Sequence, residues 1–348
     1  HLFIVTEPEK ESETPDDEKV EAMFASTDGL KTALHRERPF DDYARQPLLP
    51  FKLSQLGPGM ACADVDRDGD EDLYVGASGG VPGSLYLNHG KGGFKQQTLR
   101  IFRMTAASED MGALFFDADS DGDPDLYVVS GGVECKPEAR ILRDRLYIND
   151  GKGYFLFNPN SLPDLRDSGS VVAAADVDRD GDLDLFVGSR SIPGLYPLPP
   201  TSRLLVNEGG RFRDAAGETA PGLAEAGMVT SAIWSDIDRD GWPDLLVTYE
   251  WGPVAVWKNR NGVLEHQTEA AGLAGLTGWW NSIAGGDFDH DGDIDFVLGN
   301  AGLNTKYHAS SDRPMRLYYG AMGLDDKKCV VEAQYEGDHL FPVRGKSC

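Results

Sequence analysis

Long apolar runs are missing from this 348-residue chain: no stretch of about 18 apolar residues occurs, which excludes a membrane-spanning helix. Positive charge is also short. Lysine and arginine number 33 against 58 aspartates and glutamates, a formal charge of -25, which disfavours nucleic acid and anionic membrane surfaces as partners. Cysteine is scarce: Cys62, Cys135, Cys329 and Cys348 lack the CxxC or Cys/His spacing of a zinc site or a thioredoxin-like motif. They allow one or two disulfides, with a connectivity the sequence does not reveal. Gly-x-Ser-x-Gly, His-Glu-x-x-His and phosphate-cradling loops are absent, and the seven histidines form no motif. The first residue is His1, with no methionine and no charged-then-apolar leader, so the chain reads as a processed product or an excised piece.

What is abundant is carboxylate, and it is ordered. Residues 1–8 (Leu2, Phe3, Ile4, Val5) read as a short apolar strand, and residues 9–23 as a solvated acidic linker. From residue 24 to 348 apolar content returns, and within that span one nine-residue pattern appears five times. The copies run Asp64, Asp66, Asp68, Gly69, Asp70, Asp72; Asp117, Asp119, Asp121, Gly122, Asp123, Asp125; Asp176, Asp178, Asp180, Gly181, Asp182, Asp184; Asp236, Asp238, Asp240, Gly241, Trp242, Asp244; and Asp287, Asp289, Asp291, Gly292, Asp293, Asp295. Aspartate always stands at positions 1, 3, 5 and 9, with glycine at 6.

The first aspartates are 53, 59, 60 and 51 residues apart, a period that suits a four-stranded propeller blade and exceeds that of most helical repeats. Strand signals agree. Small or β-prone residues precede each loop (Val171 to Ala175, Ser282 to Gly286), and a second strand follows it (Leu73 to Val75, Leu126 to Val128, Leu185 to Val187, Leu245 to Val247, Phe296 to Leu298). A third comes after a turn (Ser84 to Asn88, Arg145 to Asn149, Arg203 to Asn207, Val254 to Trp257), and a short fourth follows a glycine-bearing turn. The predicted fold is therefore all-β, a β-propeller of four-stranded blades.

The loop spacing points to a hard divalent cation, which takes six to eight oxygens, with Ca²⁺ tolerating an irregular shell better than Mg²⁺. Alternate aspartates converge, glycine at position 6 reverses the backbone, position 7 presents its carbonyl and position 9 adds a carboxylate. Trp242 at position 7 of the fourth copy is compatible with a role for the carbonyl alone. A true EF-hand is excluded, because position 12 is Val75, Val128, Val187, Val247 or Leu298, not glutamate, and a strand follows. Asp-Gly pairs also mark ordinary turns. Such a turn has no need of three further carboxylates that repel one another unless neutralised, so the expectation is about five Ca²⁺ ions.

These loops with their flanks, such as Gly286 to Asp295, resemble the FG-GAP/VCBS repeats of integrin α-subunit propellers and of secreted bacterial proteins, over about residues 50 to 300. Leu53 to Gly59 and the opening His1 to Pro8 are similar to bacterial proteins that pair such repeats with an ASPIC/UnbV domain, which would make residues 1–8 the last strand of a preceding domain. The resemblance implies a seven-bladed propeller, calcium between the first and second strands of several blades, and an extracellular, cell-surface or periplasmic setting. Residues 301 to 348 hold strands (Arg316 to Tyr319, Cys329 to Ala333) but no sixth loop, so this chain shows five loop-bearing blades.

Function is expected on the face opposite the loops, where strand-one starts and strand-two ends lie. Its predicted lining includes Glu109, Asp110, Arg166, Asp167, Trp279, Trp280 and Asn281 at strand-one starts, with Glu134, Arg190, Tyr249, Glu250, Trp251 and Asn300 beyond strand two, a mixture suited to a glycan or an extended protein segment. The favoured reading is a non-catalytic binding or adhesion module with structural calcium. The alternative is a polysaccharide lyase or hydrolase using Glu109, Asp110, Glu250 or Arg190 on that face.

Overall fold

The computed structural model describes residues 30, 33–90, 93–302, 305–322 and 328–344. The predicted strand at residues 1–8, the linker at 9–23 and Cys348 lie outside them.

The first blade is the antiparallel sheet β1 (Met60–Ala63), β2 (Asp72–Val75), β3 (Ser84–Asn88), β4 (Phe94–Gln97), hydrogen-bonded in chain order. The second is β5 (Glu109–Phe116), β6 (Asp125–Gly131), β7 (Arg145–Asn149), β8 (Phe155–Phe157), and the third is β9 (Gly169–Ala175), β10 (Asp184–Ser189), β11 (Arg203–Asn207), β12 (Phe212–Asp214). The fourth begins with β13 (Val229–Ser235) and β14 (Asp244–Tyr249). After a two-residue strand, β15 (Gly252–Pro253), it continues with β16 (Ala255–Arg260) and β17 (Val263–His266). A second two-residue strand, β18 (Thr277–Gly278), pairs with β15. The fifth Asp loop joins β19 (Trp280–Gly286) to β20 (Asp295–Asn300), a two-stranded sheet among the described residues. The last sheet is β21 (Arg316–Ala321), β22 (Lys328–Glu336), β23 (His339–Pro342).

The chain is thus an all-β propeller, as its repeat period predicts. Successive first strands, β1, β5, β9, β13 and β19, lie side by side, where bulk is excluded: a Cβ built on Gly59 would fall 2.5 Å from the Gly112 carbonyl carbon. The apolar core is divided between blades. Tyr74, Leu85 and Phe102 meet Leu126, Val128 and Tyr147; Tyr127, Val129 and Leu146 meet Leu185, Val187 and Leu205; Phe186 and Leu204 meet Leu245, Val247 and Trp257. Each layer fills because strands alternate side chains between two faces and both faces of an inner blade are covered.

A fourth cluster decides what the face opposite the loops looks like. Leu49, Leu53 and Phe51 pack with Val133, Tyr196, Met228 and Trp251 from the blades and with Val330, Leu317 and Tyr319 from the last sheet. The segment is tied down at both ends: Asp42 accepts from Leu53 N, Ser54 N and Ser54 Oγ, and the Arg344 guanidinium donates to the Leu49 and Pro50 carbonyls. Cys62 and Cys135 carry thiols, without a disulfide.

Candidate metal centres

Each Asp loop is a tight coil between a first and a second strand, shaped by two left-handed residues. Position 6 is glycine with φ from 86° to 100°, and position 4 (Arg67, Ser120, Arg179, Arg239, His290) has φ from 60° to 62° although it carries a side chain. Such a conformation costs about 1–3 kcal/mol in a residue other than glycine. Here it turns backbone N–H groups inward. Asp64 accepts from Asp68 N at 3.1 Å and Gly69 N at 3.0 Å; Asp117 and Asp236 do the same in their loops, while Asp176 and Asp287 accept from the glycine. Position 5 accepts from the N–H of position 7 in all five loops, Asp240 from Trp242 N at 2.9 Å included.

Position 9 is the best buried carboxylate of the loop: Asp72, Asp125 and Asp184 are fully buried and Asp244 nearly so. One of its oxygens accepts from position 2 (Val65, Ala118, Val177, Ile237, Phe288) at 2.9–3.1 Å. In four loops the other accepts from the backbone of an asparagine at or one residue before the end of the third strand, Asn88, Asn149, Asn207 or Asn259, at 2.7–2.8 Å. The sequence repeats these asparagines without revealing this role. From the second blade on, the asparagine amide also crosses to the preceding blade. Asn149 Nδ2 donates to the Val65 carbonyl (2.9 Å), Asn207 Nδ2 to Ala118 (2.9 Å) and Asn259 Nδ2 to Val177 (2.8 Å).

Carboxylate oxygens of positions 1, 3 and 9 gather within 4.8 Å of one another in the first four loops (Asp64, Asp66, Asp72; Asp117, Asp119, Asp125; Asp176, Asp178, Asp184; Asp236, Asp238, Asp244), and those of positions 1, 3 and 5 (Asp287, Asp289, Asp291) in the fifth. Buried oxygens of Asp66, Asp176 and Asp287 find no hydrogen-bond donor. Burial and the neighbouring aspartates push Asp66, Asp119 and Asp178 above the usual carboxylate range. Burial likewise raises Asp125 to about 7 and Asp184 to about 6, against the lowering effect of their backbone hydrogen bonds. A clustered set of hard oxygens with unclaimed lone pairs fits a calcium-type cation and does not fit zinc, which draws on Cys and His.

The side chains at position 7 turn away from these clusters, towards the preceding blade. Asp123 meets Arg67, Asp182 accepts from Ser120 Oγ at 2.8 Å, the Trp242 ring lies under Arg179 at 4.2 Å, and Asp293 meets Arg239. The partner in every case is position 4 of the loop before. Trp242 thus replaces an acid with an aromatic face and retains a cationic neighbour.

The residues predicted on the opposite face are brought together, mostly inwards. Glu250 is fully buried, accepting from Arg190 Nε at 2.9 Å and Tyr196 Oη at 2.7 Å; Trp251 Nε1 donates to the same tyrosine oxygen at 2.6 Å. Tyr249 is buried. Trp279 stacks on Trp251 at 5.4 Å and touches Phe51 at 5.2 Å. Trp280 is half-buried and Asn281 exposed. Asp110 is taken up by Arg145 at 2.8 Å and Tyr74 Oη at 2.9 Å.

The repeats also match a family of known proteins. The FG-GAP-like repeat family matches residues 57–128, 140–187 and 236–298, just over half of the chain. A curated relative, human phosphatidylinositol-glycan-specific phospholipase D, is 30% identical over 182 residues, 46% of this chain and 21% of its own length. The chain spans about a fifth of the length of the curated relatives it matches. Among solved structures, an Agrocybe aegerita lectin recognising non-reducing terminal N-acetylglucosamine aligns with TM-score 0.40 at 15% identity, covering 69% of this chain and 56% of the lectin. BBS1N in complex with ARL6DN aligns with TM-score 0.40 at 12% identity, covering 81% and 76%.

Proposed function

We propose, from the premise that this chain belongs to the FG-GAP-like repeat family, that its Asp loops are calcium sites and that the propeller is a non-catalytic binding module working outside the cytosol on a protein or glycan ligand. The carrying observation is the three-carboxylate cluster rebuilt at positions 1, 3 and 9 of the first four loops and at 1, 3 and 5 of the fifth, with buried oxygens of Asp66, Asp176 and Asp287 that no donor satisfies. A bound Ca²⁺ supplies the missing positive charge and ties the first strand to the second. Loops of this kind, lacking a bidentate glutamate, are expected to bind at about 10⁻⁴ to 10⁻³ M, which suits extracellular calcium and would leave them empty in resting cytosol. Among the described residues no helix is long and apolar enough to cross a membrane.

Two internal ion pairs support binding over catalysis. Asp110 is held by Arg145 and Glu250 by Arg190, so neither stands free as a general acid or base. The part of the predicted ligand face still open to a partner is around Trp280 and Asn281, with Trp279 and Trp251 stacked behind it. The test is a glycan array run beside a polysaccharide-cleavage panel, with calcium and with chelator, on the protein and its Trp280→Ala variant. Calcium-dependent binding that the variant weakens is expected; cleavage of any polysaccharide, or binding indifferent to chelation, would overturn the reading.

A further inference from the structure

The fourth loop is distinguished by a lysine contact. Lys258, on β16, sends its ammonium group onto Asp238 and to 3.5 Å from Asp240 Oδ2, at loop positions 3 and 5. Its side chain is only 12% exposed, so the stem lies down on the blade and the charge is delivered to the cluster. Lys258 immediately precedes Asn259, and the residues at that place in the other blades are Leu87, Ile148 and Val206. Those side chains carry no charge. Arg260 adds a second cation, 3.8 Å from Asp240 Oδ2. Elsewhere, among the described residues, the cations that touch loop acids, Arg67 and Arg239, pair with position 7, outside the three-oxygen cluster.

We infer that the fourth Asp loop is neutralised by the chain's own Lys258 ammonium and not by a calcium ion, so that five loops hold four ions. The inference rests on the calcium reading above. Position 3 belongs to the oxygen cluster in every loop, so an ammonium seated on Asp238 occupies the charge and the space an ion would use. Being tethered, it acts at an effective concentration of about a millimolar or more, comparable with the weak affinity expected of such a loop. Calcium entering there must first expel Lys258 and then sit beside Arg260.

Calcium bound at saturation, measured by equilibrium dialysis with elemental analysis, tests this. The unaltered protein should bind about four ions per chain, Lys258→Met about five, and Lys258→Arg about four. Asp238→Asn should leave the count of the unaltered protein unchanged, whereas Asp66→Asn in the first loop should lower it by about one. Five ions in the unaltered protein overturn the inference whether or not the variants fold. So does an unchanged count in a Lys258→Met protein whose melt is intact. No calcium in any protein would instead overturn the calcium reading itself.

Discussion

The Arg179 guanidinium lies 4.2 Å over the ring of Trp242, and the two belong to neighbouring blades. The contact is one of a series in which position 4 of a loop meets position 7 of the next. Its left-handed backbone is what swings position 4 out of its own loop and over the neighbour. An exposed cation–π contact is worth about 0.5–1 kcal/mol, so Arg179→Ala should lower stability by about that much. Trp242→Asp, with Arg179 kept, should leave stability about unchanged, because it re-creates the pairing that Arg67 makes with Asp123. Thermal melts of both proteins check this; a loss several times larger would mean that Arg179 does more than clasp the next blade.

Asn149 should matter more than Asn88. Both donate a backbone N–H to the position-9 aspartate of their loop, yet Asn149 is 3% exposed and its amide holds the Val65 carbonyl of the preceding blade, while the Asn88 amide reaches Glu71 in its own loop. Asn149→Ala strands buried partners and is expected to cost about 3 kcal/mol, against about 1 for Asn88→Ala. Chemical denaturation of the two variants gives the comparison. Equal losses would deny the link between blades.

Removing calcium should lower the melting temperature in a concentration-dependent way. At an ion concentration about ten times Kd, each site bound only in the native state adds about 1.4 kcal/mol. Melts recorded across a calcium titration, with excess chelator as the end point, should therefore climb steadily. A flat series would rule out metal-linked folding.

Glu109 sets a pH dependence of its own. Burial first, then Glu134, Glu37, Asp110 and Asp42, push its carboxyl up to about 8 from an ordinary value of 4.5. Between those values the native state keeps a proton that the unfolded chain has released, so rising pH favours unfolding. The contribution is complete below about 4.5 and gone above about 8. Glu109→Gln holds a neutral group at all pH values. It should match the parent near pH 5 and exceed it in melting temperature near pH 9, by about the shift of one group. A variant-to-parent difference that does not change with pH would contradict the assignment.

Much of this was legible in the residues. The Asp–x–Asp–x–Asp–Gly pattern located every oxygen cluster, and the strands of the first four blades fall where their apolar alternation placed them. Asn149 and Asn207 were legible too, as a repeated strand ending, but their role was not, since nothing in one blade's sequence says which carbonyl of the previous blade waits for them. Glu250 and Arg190 illustrate the opposite outcome. Lying beyond second strands, they read as surface charges of a binding face, and they form instead a buried pair beneath Phe51 and the last sheet.

By itself the sequence determined the loops and strands, because their defining interactions close within about nine residues or along one alternating strand, where spacing is geometry. The tertiary structure alone decided which blade clasps which, that Lys258 lands among acids, and that Glu250 and Arg190 pair beside Phe51. Those partners are distant in the chain, 62 residues in the case of Ser120 and Asp182. Only the stacking of one blade upon the next brings them within reach.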